Sequence, residues 1–410
     1  MNRFEAFTTR FVQSVGKKEG SVSPVITPSA SYGYGDPETA EGIFEGSVKK
    51  PVYARMGNPT TAQLEGILAQ MDGGIGAVAT GSGMGAVSLA VLSLAQAGDE
   101  IISIGGLFGG TYSFFSETLP RYGITTHFFA TDELEKAEEA ITSKTKVIFL
   151  ESVGNPSMRL PDIAAVAAIA SRHGVALIVD NTITPLAVSP LALGADISVY
   201  STTKIISGNA AALGGAAVFR EIGEADKFRG ERYKSIHGII QKMGGMALIP
   251  NAKKKVLRDF GMSANAFASY LTLLGLETLP LRMERIVQSM ETVALALSQE
   301  GLTVNHPSLP GHPDHELYEE AFPGGCGTLL TLDFGSREKA FAFLAKSRLA
   351  TITANIGDSR TLALHMASTI YRDFDDGAKA FLGITPGLVR VSIGLESAAD
   401  IIDDFVQASR

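Results

Sequence analysis

Short apolar runs alternate with helical stretches through the middle of the chain. Runs of four or five mainly apolar residues predict strands, and the stretches between them repeat apolar residues at helical spacing. Strands that are apolar at nearly every position are typical of a parallel sheet buried on both faces. The predicted strands are GAVAT (76–80), EIISI (100–104), VIFLE (147–151), ALIVD (176–180), ISVYS (197–201) and AAVF (216–219), with helices at 83–95 and 163–173 between them. The pattern therefore predicts an α/β fold in which helices sandwich a mostly parallel sheet.

The two ends of the chain have different patterns. Residues 1–60 hold five prolines among many Gly and Ser residues and show no sustained period, which predicts an extended N-terminal arm. After about residue 250, longer helical patterns mix with short strand-like runs, which predicts a smaller C-terminal α+β domain. We therefore expect an arm at 1–60, a large domain at 61–250 and a small domain at 251–410.

Length, charge and cysteine content narrow the class of protein. The chain has 410 residues, which suits about two domains because single cores stop growing at roughly 250–300 residues. A net charge of −8 gives no general positive field for nucleic acid or a membrane surface, so we expect neither partner. The N-terminal residues lack the apolar block of a signal peptide, and no run is long enough for a membrane span. Cys326 is the single cysteine, which fits a reducing compartment, and we expect a cytoplasmic protein.

Three groups of residues with chemical potential follow predicted strands. Gly81–Gly85 leads from a strand into a helix, where free backbone N–H groups and the helix dipole favour a phosphate, although such a turn is often purely structural. Asp180 ends the strand ALIVD and could keep a ring nitrogen protonated or cap a helix. Lys204 follows the hydroxyl-rich Ser201–Thr203, and a lysine buried at a strand end has a lowered pKa that suits Schiff-base chemistry.

These three groups are more specific together than apart. Ligands of open α/β sheets bind at the carboxyl ends of the strands, which is where all three are expected. A phosphate on a helix N-terminus, an acid on a pyridine nitrogen and an amine on an aldehyde are what pyridoxal 5'-phosphate (PLP) requires of a protein. The sequence therefore predicts a PLP enzyme with its cofactor bound as a Schiff base to Lys204.

The chain also resembles the Cys/Met-metabolism family of fold-type-I PLP enzymes over nearly its whole length. The motifs that carry the resemblance are YARMGNPT (53–60), STTK (201–204) and RVSIGLE (390–396). The resemblance implies the following cofactor-binding residues: Tyr53, Arg55, Ser82, Gly83, Met84, Phe108, Asn155, Asp180, Ser201, Thr203 and Lys204. It implies that Tyr53 and Arg55 reach the phosphate of a neighbouring subunit, in a dimer of dimers with shared active sites. It also implies that Asn355 and Arg390 bind the substrate. Without the resemblance, we would interpret Arg390 as a partner in a surface ion pair.

Within this family, the stretches at 108–112, 118–121 and 357–362 are most similar to O-acetylhomoserine sulfhydrylases. The implied reaction is γ-replacement, in which O-acetyl-L-homoserine or another O-acylhomoserine and sulfide or a related donor give L-homocysteine, in methionine biosynthesis. A sulfur-carrier protein is a further candidate partner, and methionine γ-lyase, cystathionine γ-synthase or cystathionine lyase activity is the alternative. Phe108 stands where the family has a stacking tyrosine, so it keeps the ring but lacks a hydroxyl. Lys204, water or another group would then carry any proton assigned to that hydroxyl.

Several other readings are weaker. An NAD-dependent dehydrogenase would need GxGxxG, which the turn at residues 81–86 lacks. A non-catalytic scaffold would leave the three groups without a reason to occur together. His312, Asp314 and His315 lie in a loop without a second ligand cluster, so we expect no metal site. We interpret His365 as a structural histidine and Cys326 as a small core residue.

Overall fold

The chain folds around two sheets, a larger one within residues 76–219 and a smaller one within residues 304–392. The computed structural model describes residues 4–16 and 20–410, so residues 1–3 and 17–19 of the predicted arm lie outside the described residues. The strands of the larger sheet are β1 (Gly76–Thr80), β2 (Glu100–Ile104), β3 (Thr125–Phe129), β4 (Thr145–Glu151), β5 (Ala176–Asp180), β6 (Ile197–Tyr200) and β7 (Gly215–Phe219). The strands of the smaller sheet are β8 (Val304–Asn305), β9 (Leu329–Asp333), β10 (Thr351–Ile352), β11 (Leu362–His365) and β12 (Leu388–Ser392).

Helices surround both sheets. They are α1 (Glu5–Val15), α2 (Pro37–Glu45), α3 (Pro59–Asp72), α4 (Gly83–Leu94), α5 (Gly109–Ser113), α6 (Leu119–Arg121), α7 (Leu134–Glu139), α8 (Ile163–Arg172), α9 (His237–Met243), α10 (Leu248–Ala252), α11 (Arg258–Phe260), α12 (Ala266–Glu277), α13 (Leu279–Gln299), α14 (His315–Ala321), α15 (Arg337–Lys346), α16 (Asp376–Phe381) and α17 (Ala398–Ser409). Two π-helical turns, Phe114–Thr118 and Lys253–Leu257, join α5 to α6 and α10 to α11, and short 3-10 turns lie at Lys227–Arg229, Glu231–Ile236 and Gly244–Met246. In the part of the chain described here, no helix combines the length and the apolar character that crossing a bilayer requires.

The larger sheet is mostly parallel, which confirms the predicted fold class. Its strand order is β1-β7-β6-β5-β4-β2-β3, and β7 alone runs against its neighbours β1 and β6. Side chains of adjacent strand positions enter different cores: Phe149 and Ile178 pack with α4, whereas Ile148 and Leu177 pack with α8. Both faces of the sheet are therefore buried under helices, as all-apolar strands require.

The smaller sheet has the order β10-β11-β12-β9-β8, with antiparallel pairs except for β10 with β11. One face packs on α13, α15 and α17 through residues such as Val293, Phe343 and Phe405. This arrangement matches the predicted α+β character. It also places the central strand β12 next to the carboxyl edge of the larger sheet.

The N-terminal region combines non-helical chain with helices. The predicted arm contains α1 and α2, and residues 20–36 and 46–58 connect them to α3 without regular helix. α3 begins at Pro59 because the Asn58 side chain caps it, its Oδ1 atom accepting from the Thr60 N–H at 2.9 Å. The domain boundaries at residues 60 and 250 stay predictions.

Candidate active site

A cavity of about 210 Å³ opens where the carboxyl ends of the larger sheet meet β12 of the smaller sheet. This edge is where ligands bind in α/β sheets. Ten of the residues predicted from the sequence line it: Ser82, Gly83, Met84, Phe108, Asn155, Asp180, Ser201, Thr203, Lys204 and Arg390. The fold therefore brings together residues that are as far apart in the chain as 82 and 390.

The first turn of α4 forms one wall of the cavity. Ser82 caps this helix, its Oγ atom accepting from the Gly85 N–H at 3.0 Å. A Cβ atom on Gly83 would lie 2.6 Å from Cβ of Ser201, so only glycine lets the helix start so close to the strand end. The early N–H groups of a helix have no partner within it, and they suit an anion. The Thr203 hydroxyl, in contrast, donates to the Gly214 carbonyl at 3.1 Å, which commits its one proton.

Asp180 lies at the end of β5 without a cationic partner among the described residues. Its Oδ1 atom accepts from the Thr182 N–H at 3.0 Å and from the Thr182 hydroxyl at 2.6 Å. Burial raises the pKa of Asp180 to about 6, and the two bonds from Thr182 oppose that rise. A buried carboxyl without a cationic partner fits a protonated pyridine nitrogen, which would supply the missing positive charge.

Glu151 is a second acid in this cavity, and sequence reasoning missed it. It ends β4 directly beside Asp180 in the sheet register, and its Oε1 atom accepts from the Phe108 N–H at 2.7 Å. Burial and the nearby Asp180 charge raise the pKa of Glu151 well above its ordinary value. Two adjacent buried carboxyls do not both ionise readily, and the stronger rise at Glu151 favours the proton on Glu151 and the negative charge on Asp180.

Lys204 projects into the cavity from a tight turn after β6. Its Nζ atom donates to Oδ1 of Asn355 at 2.8 Å. Burial, and then the positive charge of Arg390, lower the pKa of Lys204 to about 8. A neutral amine is therefore accessible near physiological pH, which is the form that attacks an aldehyde.

Arg390 enters the cavity from β12 and is 2% exposed. Its Nη1 atom donates to Asn155 Oδ1 at 3.2 Å, and its Nη2 atom donates to the Ala354 carbonyl at 3.2 Å. Burial lowers the pKa of Arg390 to about 10, and no carboxylate pairs with it within the described residues. The surface ion-pair reading of this arginine is wrong because the side chain is buried. A guanidinium without a counter-ion at a cavity wall fits an incoming carboxylate.

Tyr53 and Arg55 do not line the cavity of their own chain. Tyr53 is 45% exposed, and the Arg55 guanidinium lies 5.7 Å from the centre of its ring. The Arg55 guanidinium also donates to the Arg258 carbonyl. Their contact with the phosphate in a neighbouring subunit stays a prediction.

The residues set aside have partners outside the cavity. His365 is 3% exposed and lies 2.7 Å from the Ser368 hydroxyl and 2.9 Å from the Pro386 carbonyl. Cys326 is buried in a core cluster, and burial raises the pKa of its thiol. Asp314 pairs with Arg159 at 2.7 Å. Across residues 4–16 and 20–410, no group of three or more His, Cys, Asp or Glu side chains could hold a metal ion.

The family model of Cys/Met metabolism PLP-dependent enzymes matches residues 8–410. The chain belongs to this family. The cofactor is therefore PLP, which the acid, the amine and the helix N-terminus of the cavity fit by their chemistry. The predicted resemblance is confirmed, and the dehydrogenase and scaffold readings are wrong.

Relatives from bacteria and fungi match almost end to end. O-acetyl-L-homoserine sulfhydrylase 1 of Thermus thermophilus is 38% identical over 93% of this chain and 94% of its own. Homocysteine synthase of Schizosaccharomyces pombe is 35% identical over 99% of this chain and 97% of its own. A crystal structure assigned as an O-acetylhomoserine (thiol)-lyase of Campylobacter jejuni is similar with a TM-score of 0.92 and 31% identity, covering 100% of both chains. That structure carries N'-pyridoxyl-lysine-5'-monophosphate at its own position 205.

Proposed function

We propose that this enzyme catalyses γ-replacement on O-acetyl-L-homoserine, releasing acetate and adding sulfide to give L-homocysteine in methionine biosynthesis. One C–O bond at Cγ breaks and one C–S bond forms at the same carbon. The observation that carries the proposal is the Lys204–Asn355–Arg390 arrangement. Asn355 accepts from Lys204 Nζ through its side chain at 2.8 Å, and its backbone carbonyl accepts from Arg390 Nη2 at 3.4 Å. An amine and a carboxylate anchor thus face one small cavity, as an α-amino acid requires. The names of the relatives support the O-acetylhomoserine substrate.

Each residue of the cavity has a distinct task in this proposal. When bound, PLP supplies an electron sink that lets protons leave the carbon atoms of an amino acid. Lys204 holds the cofactor at rest and, as a free amine of lowered pKa, takes the Cα proton. Asp180 holds a proton on the ring nitrogen, and Arg390 fixes the carboxylate so that the Cα–H bond faces Lys204.

Phe108 lines the cavity, but its side chain has no proton to donate. Its ring can stack on the cofactor, but no hydroxyl is present at this position. Glu151 bonds to the Phe108 backbone rather than to a group in the middle of the cavity. Lys204 is therefore the group that we assign to moving protons between carbon atoms.

We further propose that the enzyme is a homo-oligomer, a dimer of dimers, in which Tyr53 and Arg55 complete the phosphate site of a neighbouring subunit. Both side chains belong to the N-terminal region and lie outside their own cavity. A cytoplasmic location is proposed from the single buried Cys326. Sulfide is the proposed donor, and a sulfur-carrier protein is the partner to test if free sulfide reacts slowly.

The test is a product assay with O-acetyl-L-homoserine and sulfide, run with wild type, Lys204→Ala and the control Lys234→Ala. Lys234 has a 75% exposed side chain on the surface, so its removal should leave activity unchanged. We expect homocysteine from wild type and control, none from Lys204→Ala, and a borohydride-reduced pyridoxyl group on the peptide that contains Lys204. Ammonia and a 2-oxo acid as the main products would replace the proposal with a lyase activity. Normal turnover by Lys204→Ala would refute the role of that lysine.

A further inference from the structure

Arg282 is a buried arginine that none of the proposed steps uses. It lies on α13 and is 9% exposed. No acidic side chain pairs with it among the residues of known position, and burial lowers its pKa to about 10. A buried cation without a counter-ion is costly, so the groups that it contacts should account for its presence.

The contacts of Arg282 converge on the turn that carries Lys204. Its Nη1 atom donates to the Ile205 carbonyl, and its Nη2 atom donates to the Ile206 carbonyl at 3.0 Å. The Nη2 atom also donates to the Gly275 carbonyl of α12 at 2.6 Å. Two of the three carbonyls therefore belong to the residues directly after Lys204.

These carbonyls need an outside donor because the turn is too short to satisfy them. Within the turn, Ser207 N–H donates to the Thr202 carbonyl at 3.0 Å and Gly208 N–H donates to the Lys204 carbonyl at 2.9 Å. Those bonds leave the Ile205 and Ile206 carbonyls to Arg282. Buried carbonyls without a partner are strongly disfavoured, and a planar fork of five donors can serve several of them at once.

The backbone around the turn is built to admit the guanidinium. Gly208 has φ +75°, and a Cβ atom there would collide with Arg282 Nη1. A Cβ atom on Gly275 would lie 2.7 Å from the Ile206 carbonyl oxygen, so α12 packs directly on the same turn. The residues on both sides of the arginine therefore leave room for this side chain and for little else.

We propose that Arg282 is a positioning residue that fixes the turn after Lys204 and so holds Nζ of Lys204 at the reacting atoms. This inference rests on the proposed role of Lys204. Arg282 does not touch the cavity; it acts through the backbone of Ile205 and Ile206. A lysine in its place offers one point charge instead of a fork, so it cannot bind all the carbonyls in one fixed geometry.

The experiment compares Arg282→Lys and Arg282→Met with a matched control, Arg220→Lys, in the holoenzyme. Arg220 is also partly buried, with a 24% exposed side chain, but it pairs with Asp196 and Asp226 away from the cavity. The measurements are kcat and KM for O-acetyl-L-homoserine, the pH midpoint of the visible absorbance of the bound cofactor, and amide hydrogen exchange of the peptide spanning residues 201–208.

For Arg282→Lys we expect kcat to fall by about 10- to 100-fold, because small misplacements of a catalytic group have effects of that size. KM should change little because Arg390 is intact. Amide exchange at residues 204–208 should become faster and the absorbance midpoint should shift, with larger effects in Arg282→Met. Arg220→Lys should lower thermal stability without any of these changes.

Two results would overturn the inference. One is an Arg282→Lys enzyme with wild-type kcat and wild-type exchange at residues 204–208. The other is a loss of kcat matched by Arg220→Lys, which would reduce the effect to general stability. Failure of the proposed function is distinguishable, because ammonia and a 2-oxo acid as the main products of the wild type would disprove γ-replacement whatever the exchange of the turn. A cofactor adduct on a lysine other than Lys204 would disprove the role of Lys204 itself.

Discussion

Replacing Arg390 with lysine should lower kcat/KM for O-acetyl-L-homoserine while leaving the cofactor attached. The guanidinium is held from two sides, by Asn155 Oδ1 at 3.2 Å and the Ala354 carbonyl at 3.2 Å, which fixes its plane toward the cavity. Lysine is shorter and has one charged point, so it forfeits the second of two parallel bonds to a carboxylate. A charged hydrogen bond contributes about 1.5–3 kcal/mol. The expected loss is therefore about 10- to 150-fold, at 1.36 kcal/mol for each tenfold change.

The assay compares O-acetyl-L-homoserine with its α-carboxamide, which keeps the amine and the acetyl group but lacks the negative charge. Wild type should strongly prefer the carboxylate, and Arg390→Lys should lose most of that preference. Arg372→Lys is the control, since Arg372 has a 71% exposed side chain paired with Asp373 on the surface. Visible absorbance reports that the cofactor remains bound. If Arg390→Lys keeps both its preference and its kcat/KM within about twofold of wild type, this arginine does not anchor the carboxylate.

Two further substitutions test the buried acids. Asp180→Asn should lower kcat by roughly 100-fold with the cofactor still bound, because an amide cannot hold the ring nitrogen protonated; wild-type kcat in steady-state assays would contradict this role. Asp72 is 3% exposed, and burial raises its pKa from 3.8 to about 6. Because the pKa of Asp72 is higher in the folded state than in the unfolded chain, its protonation adds to the free energy of unfolding below about pH 4. This contribution is lost as the pH rises through about 6, a loss of at most ~3 kcal/mol. Asp72→Asn keeps an acceptor for the Ser189 hydroxyl, which lies 2.9 Å from Asp72 Oδ1, so the urea midpoint of the variant should fall less between about pH 4 and pH 7; an unchanged pH dependence would contradict the argument.

The strands that the sequence predicts best are those buried on both faces. GAVAT, EIISI and ALIVD coincide with β1, β2 and β5, because burial on two sides leaves an uninterrupted apolar run. β3 was not predicted because it lies at the edge of the sheet, where Thr125–Phe129 is only partly buried and includes polar residues. β10 escaped because it has two residues, both exposed.

The site divides in a similar way. Lys204 and Asp180 could be predicted from their positions after apolar strands, since the carboxyl ends of parallel strands meet. Glu151 has the same sequence signal, because it is an acid at the end of the strand VIFLE. Its place beside Asp180 depends on the order of the strands in the sheet, which the sequence does not reveal. Arg390 could be predicted as a site residue only from the family resemblance, because it lies on a strand of the smaller sheet. Arg282 has the spacing of an ordinary helix residue, and nothing local indicates that the Lys204 turn lies against it.

The division of the cavity between two sheets has a consequence for how this enzyme can evolve. The cavity residues proposed to hold the cofactor, such as Asp180 and Lys204, come from the first half of the chain, whereas Ala354, Ile356 and Arg390 come from the second. Changes at residues 354 and 356 can therefore reshape the cavity wall while the hydrogen bonds of the turn that carries Lys204 stay in place. Asn355 is the exception, because its amide touches Lys204. A lineage could thus acquire a new amino-acid substrate by drift in the short loop between β10 and β11 and retain its cofactor chemistry throughout.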